Sequence, residues 1–348
     1  MQGLASGATV AAQAGYHGPP ELTFARAVTS FTLDPWSLAA IVVLGGLYAA
    51  GVVAVRRRGE SWPASRVVLF CGLGLGFGVI ATMSFVGAYQ PVLFYIRSVQ
   101  TVLLLLVVPL FAALGRPLSL FIAALPRAGR RLQAGIASRT ARLLTFPPIT
   151  TFVLVLTPFV IYFTPWYAAG FASGVVAQLT HVALLLPGFV FFWTLLQMDP
   201  VPRAYPYIVT LWITAAEVIG DAVLGIAVIA DTSLLAGPYY HALARPWGPS
   251  LATAQVLGGG VLWILGDIVG LPFLAAQLIQ MMREDEVEAR VIDAELDAKE
   301  AASVSPAGVS AAGGAGVAAE PGRSAGQRPW WESDRRFSDR FRAIDDPD

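Results

Sequence analysis

Seven apolar runs divide this sequence, at about 36–55, 67–86, 92–114, 149–169, 175–197, 207–230 and 255–282. At about 1.5 Å of rise per residue, roughly 20 apolar residues in a helix cross the ~30 Å hydrocarbon core of a bilayer. The pattern predicts an all-α polytopic membrane protein, a seven-transmembrane helix bundle. Residues 1–34 read as an extracytoplasmic tail, with Gly18-Pro19-Pro20 marking irregular structure, and 35–282 as the transmembrane domain. Arg283-Glu284-Asp285-Glu286 opens a charged cytoplasmic helix over 283–300. Positions 301–348 read as a low-complexity cytoplasmic tail, disordered to about Gln327 and ending in an aromatic and charged motif from Trp330-Trp331.

Arginine placement orients the bundle. With the first loop inside, cytoplasmic segments hold Arg56, Arg57, Arg58, Arg66, Arg116, Arg127, Arg130, Arg131, Arg139, Arg142 and Arg203, against Arg26 and Arg245 outside. The positive-inside rule then puts the N-terminus outside and the C-terminus in the cytoplasm. Arg127, Arg130 and Arg131 follow the apolar stretch Leu118 to Leu125, so the 115–148 loop reads either as a segment held against anionic lipid or as a solvated loop. Trp36, Trp166, Tyr167, Tyr207 and Tyr239 near the span ends suit an interfacial belt.

Composition adds little to this picture beyond what it excludes. Only 13% of residues are charged and net charge is zero, with the charge concentrated after Met282, so nothing points to nucleic acid. The single cysteine, Cys71, excludes an intramolecular disulfide and a thiolate cluster. Met1 to Ala14 lacks a basic residue before its apolar stretch, which argues against a signal peptide. No internal repeat of the kind common in transporters is present. Glycines from Gly72 to Gly78 put Gly74 and Gly78 on a GxxxG face for helix packing.

Polar residues within the spans carry the candidate chemistry. They are Arg97 in the third, His181 in the fifth, Glu217 and Asp221 in the sixth and Asp267 in the seventh. An ionised group at the bilayer centre costs about 2.5 kcal/mol or more, so each calls for a partner or a purpose. Counting from the span ends places Arg97 and His181 in the outer leaflet, Asp221 slightly deeper and Glu217 near the middle. Glu217 and Asp221, four apart, share one helix face. An outer-half cluster of Arg97, His181, Glu217 and Asp221 follows, open to three uses: an ion pair of Arg97 with Asp221 or Glu217, proton or ion handling, and metal handling. Cu(I) asks for His, Met or Cys, and at this depth only His181 fits, with Met83 nearby. No Ser-His-Asp set, zinc spacing or haem-binding Cys pair occurs, so no catalytic residue is assigned and the chain reads as a non-enzyme.

Several strings in fixed order resemble the CtaG-type cytochrome c oxidase assembly factors. They are Ser98-Val99-Gln100 through Pro109 with Leu114-Gly115-Arg116-Pro117 and Ala124-Leu125-Pro126; Phe191-Phe192-Trp193 with Asp199-Pro200-Val201-Pro202-Arg203; and Gln255-Val256-Leu257-Gly258-Gly259 with Trp263, Gly266 and Asp267. The resemblance implies a seven-span protein of a bacterial plasma membrane, associated with copper delivery to the oxidase and partnered by its subunits. Gln100, Trp193, Asp199, Gln255, Gly258, Gly259, Trp263 and Asp267 are the family-motif positions carried over. Family histidines are replaced by Arg97, Thr101, Phe146, Ala177, Ala183 and Asp221, leaving His181 as the metal candidate and copper as the one implied cofactor. The reciprocal change to Arg97 and Asp221 suggests an ion pair where relatives hold copper. Three functions stay open: an accessory or assembly factor for a haem–copper oxidase, a transporter or channel for protons, copper or a small solute, and a structural subunit of a respiratory complex.

Overall fold

The computed structural model describes residues 16–304 apart from position 204. The first 15 residues of the N-terminal tail, and the C-terminal tail from 305 with its Trp330-Trp331 motif, lie outside the described residues. The described chain is helical, without a strand. Six helices are long and apolar enough to cross a membrane: Pro35–Arg57, Ala64–Tyr89, Phe94–Leu114, Gly174–Leu196, Ile208–Ala230 and Leu251–Ile279. Counted as one span, the pair Pro147–Phe163 and Trp166–Ala172, bent by 66°, makes seven. These are called below the first to seventh spans in chain order. The break has a local cause: Thr164, extended at φ −122° and ψ 170°, precedes Pro165, whose ring disfavours the helical conformation in its predecessor.

Residues through Asp285 form one compact unit. A second begins at Glu286, where Arg290 donates to Glu286 one turn back.

The third span is the centre of the bundle. Over its most apolar stretch it is 78% buried, against 17% for the first span. It packs on the second and fifth spans, and the fourth lies against the fifth and sixth. Around this core the outer faces are apolar: Leu47, Phe152, Leu186, Trp212, Ile219 and Ile264 are all exposed. Water would penalise so continuous an apolar surface, whereas hydrocarbon accepts it.

Small residues set the helix spacing. A Cβ added to Gly225 would come 2.6 Å from the Gly259 carbonyl, and one on Gly259 would come 2.7 Å from the Gly225 carbonyl, so the sixth and seventh spans touch backbone to backbone. The GxxxG face of the second span divides instead between two neighbours, Gly74 meeting Ala112 of the third span and Gly78 meeting Ile41 of the first. Two π-helical turns, Val68–Gly74 and Leu103–Val107, interrupt the second and third spans.

The 115–148 loop folds into three helices, Pro117–Ala124, Pro126–Ile136 and Arg139–Leu144. The first begins after Arg116, a left-handed residue (φ 52°) that offers no side-chain cap. Asp199 supplies the cap instead, its carboxylate accepting from the N–H groups of Leu118 (3.1 Å) and Ser119 (2.9 Å). Two motifs 80 residues apart in sequence are thus one structural unit.

Candidate functional site

Asp34 caps the first span, accepting from the backbone N–H of Trp36 (3.1 Å) and Ser37 (3.3 Å), with Pro35 pre-set for the first turn. Its other oxygen accepts from the Ser37 hydroxyl and the Gln178 amide, both at 2.7 Å. His181, one turn beyond Gln178, brings Nδ1 to 3.4 Å from the Ser37 oxygen and 4.0 Å from Asp34 Oδ2. The N-terminal ends of the first and fifth spans are therefore joined by a cap that also serves a histidine. The Asp-Pro-x-Ser string was the available signal for this cap; the histidine contact had none.

Burial opposes the charge on Asp34, but hydrogen bonds from Gln178 and Ser37 and the field of His181 outweigh it and hold its carboxyl below the usual carboxylate range. A carboxyl lowered on folding stabilises fully above its unfolded range, and that contribution is lost as the pH falls through the folded value. Acidification below the usual carboxylate range is therefore expected to loosen the first span from the fifth. Tryptophan emission, with Trp36 two residues away, reads this directly, and Asp34→Asn should remove the transition. An acid transition unchanged in that variant would refute the assignment.

Arg97 stands one turn into the third span, only 4% exposed. It donates to the side-chain oxygen of Gln90 and, at 3.2 Å, to that of Gln100, whose amide in turn donates to the Ala81 carbonyl (2.8 Å). Its guanidinium lies 5.4 Å over the Phe171 ring. Thr101, one turn on, shares a 2.9 Å hydrogen bond with the Tyr162 hydroxyl. Tyr167 and Tyr240 share another at 2.8 Å, and Phe94, Tyr162, Tyr167, Phe171 and Tyr240 pack ring against ring around them. Burial raises the pKa of the Tyr240 hydroxyl, so it stays a neutral hydrogen-bonding group.

The expected ion pair of Arg97 with Asp221 or Glu217 is not formed: among the described residues the ion pairs are His181–Asp34 and Arg290–Glu286. A depth counted along the sequence does not fix the direction a side chain takes. Arg97 turns towards Gln90 and Phe171, while the two acids turn towards the seventh span, where Asp221 packs on Gly266 and Glu217 on Gly270. Asp267 is their electrostatic neighbour. The single outer cluster read from the sequence is thus divided, with Arg97 and His181 in one set of contacts and Glu217 and Asp221 facing the seventh span in another.

Of the motif positions, Gln255 ties down the 231–236 loop through three backbone groups and also bonds the Val228 carbonyl of the sixth span, and Gly258 meets Phe94 and Ser98 of the third span. Trp263 lines a groove with Asp267, and the Trp193 indole N–H is buried without a partner. A copper ion fits this arrangement poorly. Around His181 stand the oxygens of Asp34 and Ser37, hard ligands unsuited to Cu(I). Among the described residues no three His, Cys, Asp or Glu side chains are placed to hold a metal ion.

Comparison with known proteins matches residues 46–284 to the profile of the cytochrome c oxidase caa3 assembly factor family (Caa3_CtaG). Over 280 residues the chain is 32% identical to the uncharacterized proteins Mb0105 of Mycobacterium bovis and MT0111 of Mycobacterium tuberculosis, covering 78% of this chain. It is 28% identical over 279 residues to the uncharacterized protein ML1998 of Mycobacterium leprae. The matched region spans 42% of the length of each of these relatives. No solved structure matches the chain. A match over the helical core, in a bundle whose motif residues cap, clamp and space its helices, places the protein: the chain belongs to the cytochrome c oxidase caa3 assembly factor family.

Proposed function

We propose that this chain is a non-enzymatic accessory protein in the assembly of a haem–copper cytochrome c oxidase, binding oxidase subunits through its membrane domain without itself retaining copper. The observation that carries the reading is the filling of the Arg97–Thr101 face. Where the resemblance puts two histidines on one helix face, a guanidinium and a threonine are locked to Gln90, Gln100, Tyr162 and Phe171. A fixed positive charge there repels a cation, while the family scaffold around it is kept.

The bundle sits in a bacterial plasma membrane with its N-terminus outside. The helices Pro126–Ile136 and Arg139–Leu144 rest on the inner headgroups, with Arg127, Arg130, Arg131, Arg139 and Arg142 towards anionic lipid and Leu143 and Leu144 exposed for insertion.

Deleting the gene is expected to lower the haem a absorbance and the amount of assembled oxidase, with recovery on re-expression. The tagged chain should co-purify with incomplete oxidase and be absent from the mature complex. Unchanged oxidase would remove the assembly reading, and a constant ratio in the mature complex would make the chain a subunit. Purified protein loaded with Cu(I) should hold no stoichiometric copper; a copper lost on His181→Ala would show a retained delivery site.

A further inference from the structure

The seventh span carries a groove of about 610 Å³ on its outward face, lined by Trp263, Ile264, Asp267, Ile268, Leu271 and Pro272. Spacings of three and four residues put these positions on one side of the helix. Ile264 and Ile268 are each 60% exposed and Leu271 is 50% exposed, so the groove opens away from the bundle. Asp267 stands among them near the middle of the 29-residue span Leu251–Ile279, at a level where hydrocarbon and not water meets the helices.

Two acceptors here lack a donor. Asp267 Oδ1 is buried with no hydrogen-bond partner. Pro272 has no N–H, so the Ile268 carbonyl one turn back loses its helical donor. Among the described residues the ion pairs are His181–Asp34 and Arg290–Glu286, and neither includes Asp267. On the bundle side the neighbouring positions face acids. A Cβ on Gly266 would run into the Asp221 carboxylate, and one on Gly270 would come 3.2 Å from Glu217 Oε2. The arginines of the spans are engaged elsewhere: Arg56, Arg57 and Arg66 lie near the ends of the first and second spans, and Arg97, 4% exposed, is bonded to Gln90 and Gln100.

An acidic side chain inside a span calls for a positive partner. A lysine ammonium or an arginine guanidinium brings donors alone and a full positive charge, which suits both the carboxylate and the bare carbonyl. Membrane helices associate through such polar contacts set within a packed apolar face. We propose that this groove docks one transmembrane helix of an oxidase subunit, whose lysine or arginine pairs with Asp267 while its apolar side chains cover Ile264, Ile268 and Leu271. A second copy of this chain is the wrong occupant, because the arginine it carries inside a span, Arg97, is locked in its own core. Lipid is the wrong occupant too, since acyl chains bring no charge to the middle of a span. Naming the partner an oxidase subunit rests on the assembly reading; the groove and the charge it requires do not.

Photo-crosslinking of the full chain in bacterial membranes tests the dock. A benzophenone side chain takes the place of Ile268 in the groove or, as controls, of Phe152 or Leu186 on other exposed faces. Cross-links from the groove should map to one membrane-spanning peptide of an oxidase subunit that contains a lysine or arginine, and those from the controls should not. Asp267→Asn keeps the shape and removes the charge. It should cut the yield about tenfold or more, as truncating one partner of a desolvated charge pair does. Replacing the partner's basic residue with methionine should do the same, and exchanging the two charges should restore the yield. A basic helix of a different membrane protein captured in this way upholds the groove and removes the assembly reading. Cross-links only to lipid, to a second copy or to a helix without a basic residue overturn the groove, and co-purification of incomplete oxidase then decides the assembly reading separately. A yield unchanged in Asp267→Asn overturns the groove as well. Should that variant not accumulate, the partner's methionine replacement decides in its place, an unchanged yield overturning the dock and a lowered one supporting it.

Discussion

Replacing Gln255 with leucine lowers the stability of the folded protein by on the order of 3 kcal/mol, as several buried backbone groups lose their partner at about 1–3 kcal/mol each. Gln255 is 4% exposed near the start of the seventh span. Its side-chain oxygen accepts from the Leu235 N–H (2.9 Å), and its amide donates towards the carbonyls of Ser233 (3.0 Å), Asp231 (3.1 Å) and Val228 (3.3 Å). Leucine keeps most of the volume and none of this bonding, so the loss is polar in origin.

The damage travels, because the clamped loop leads into the helix Gly237–Leu243. That helix carries Tyr239, stacked on Phe171 at 4.2 Å, and Tyr240, bonded to Tyr167. Phe171 in turn lies under Arg97. Thermal unfolding in detergent should show the drop, and the level of assembled oxidase should fall with it. Gln255→Glu should be worse, since it sets a carboxylate against three carbonyl oxygens. Wild-type unfolding of the leucine variant would show that the loop is held by other contacts.

Gly188→Ala is the second large effect. A Cβ at Gly188 would collide with the Leu105 carbonyl and come 2.8 Å from Pro109 Cγ, where the fifth span crosses the π-helical turn of the third. Backbone and a proline ring cannot swing aside as a flexible side chain would, so the two helices must part. Overpacking of this kind costs about 1–3 kcal/mol, and a contact with main chain belongs at the upper end. Gly46 and Gly260 serve as controls, with nothing within 4 Å of an added Cβ. Alanine there should be neutral or stabilising, by roughly 0.5–1 kcal/mol from reduced chain entropy. The measurement is a comparison of unfolding midpoints, and a Gly188→Ala midpoint equal to those of the controls would sink the argument.

Much of the fold was legible in the chain. The seven apolar runs correspond to the six long helices and the bent pair, with ends displaced by a few residues. The 66° bend was not anticipated, although Thr164-Pro165 carries the reason for it. Family motifs marked Asp199 and Gln255 without saying what they did. One caps a helix from a distant loop and the other clamps a loop from a helix. Both are contacts between segments far apart in sequence, and no local pattern encodes them.

The site shows the same division more sharply. Depth could be counted from the sequence, because a helix rises about 1.5 Å per residue from its span end. Arg97 and Asp221 accordingly looked like partners. Direction could not be counted, because spans that are apolar around most of their circumference carry no polar stripe to orient them in lipid. What orients them is close packing: Gly258 against Phe94, Gly225 against Gly259 and Gly266 against Asp221. The sequence by itself determined a membrane bundle and its family. Only the tertiary structure decided which of those residues meet, since helix rotation is set by contacts that exist only once the helices have packed.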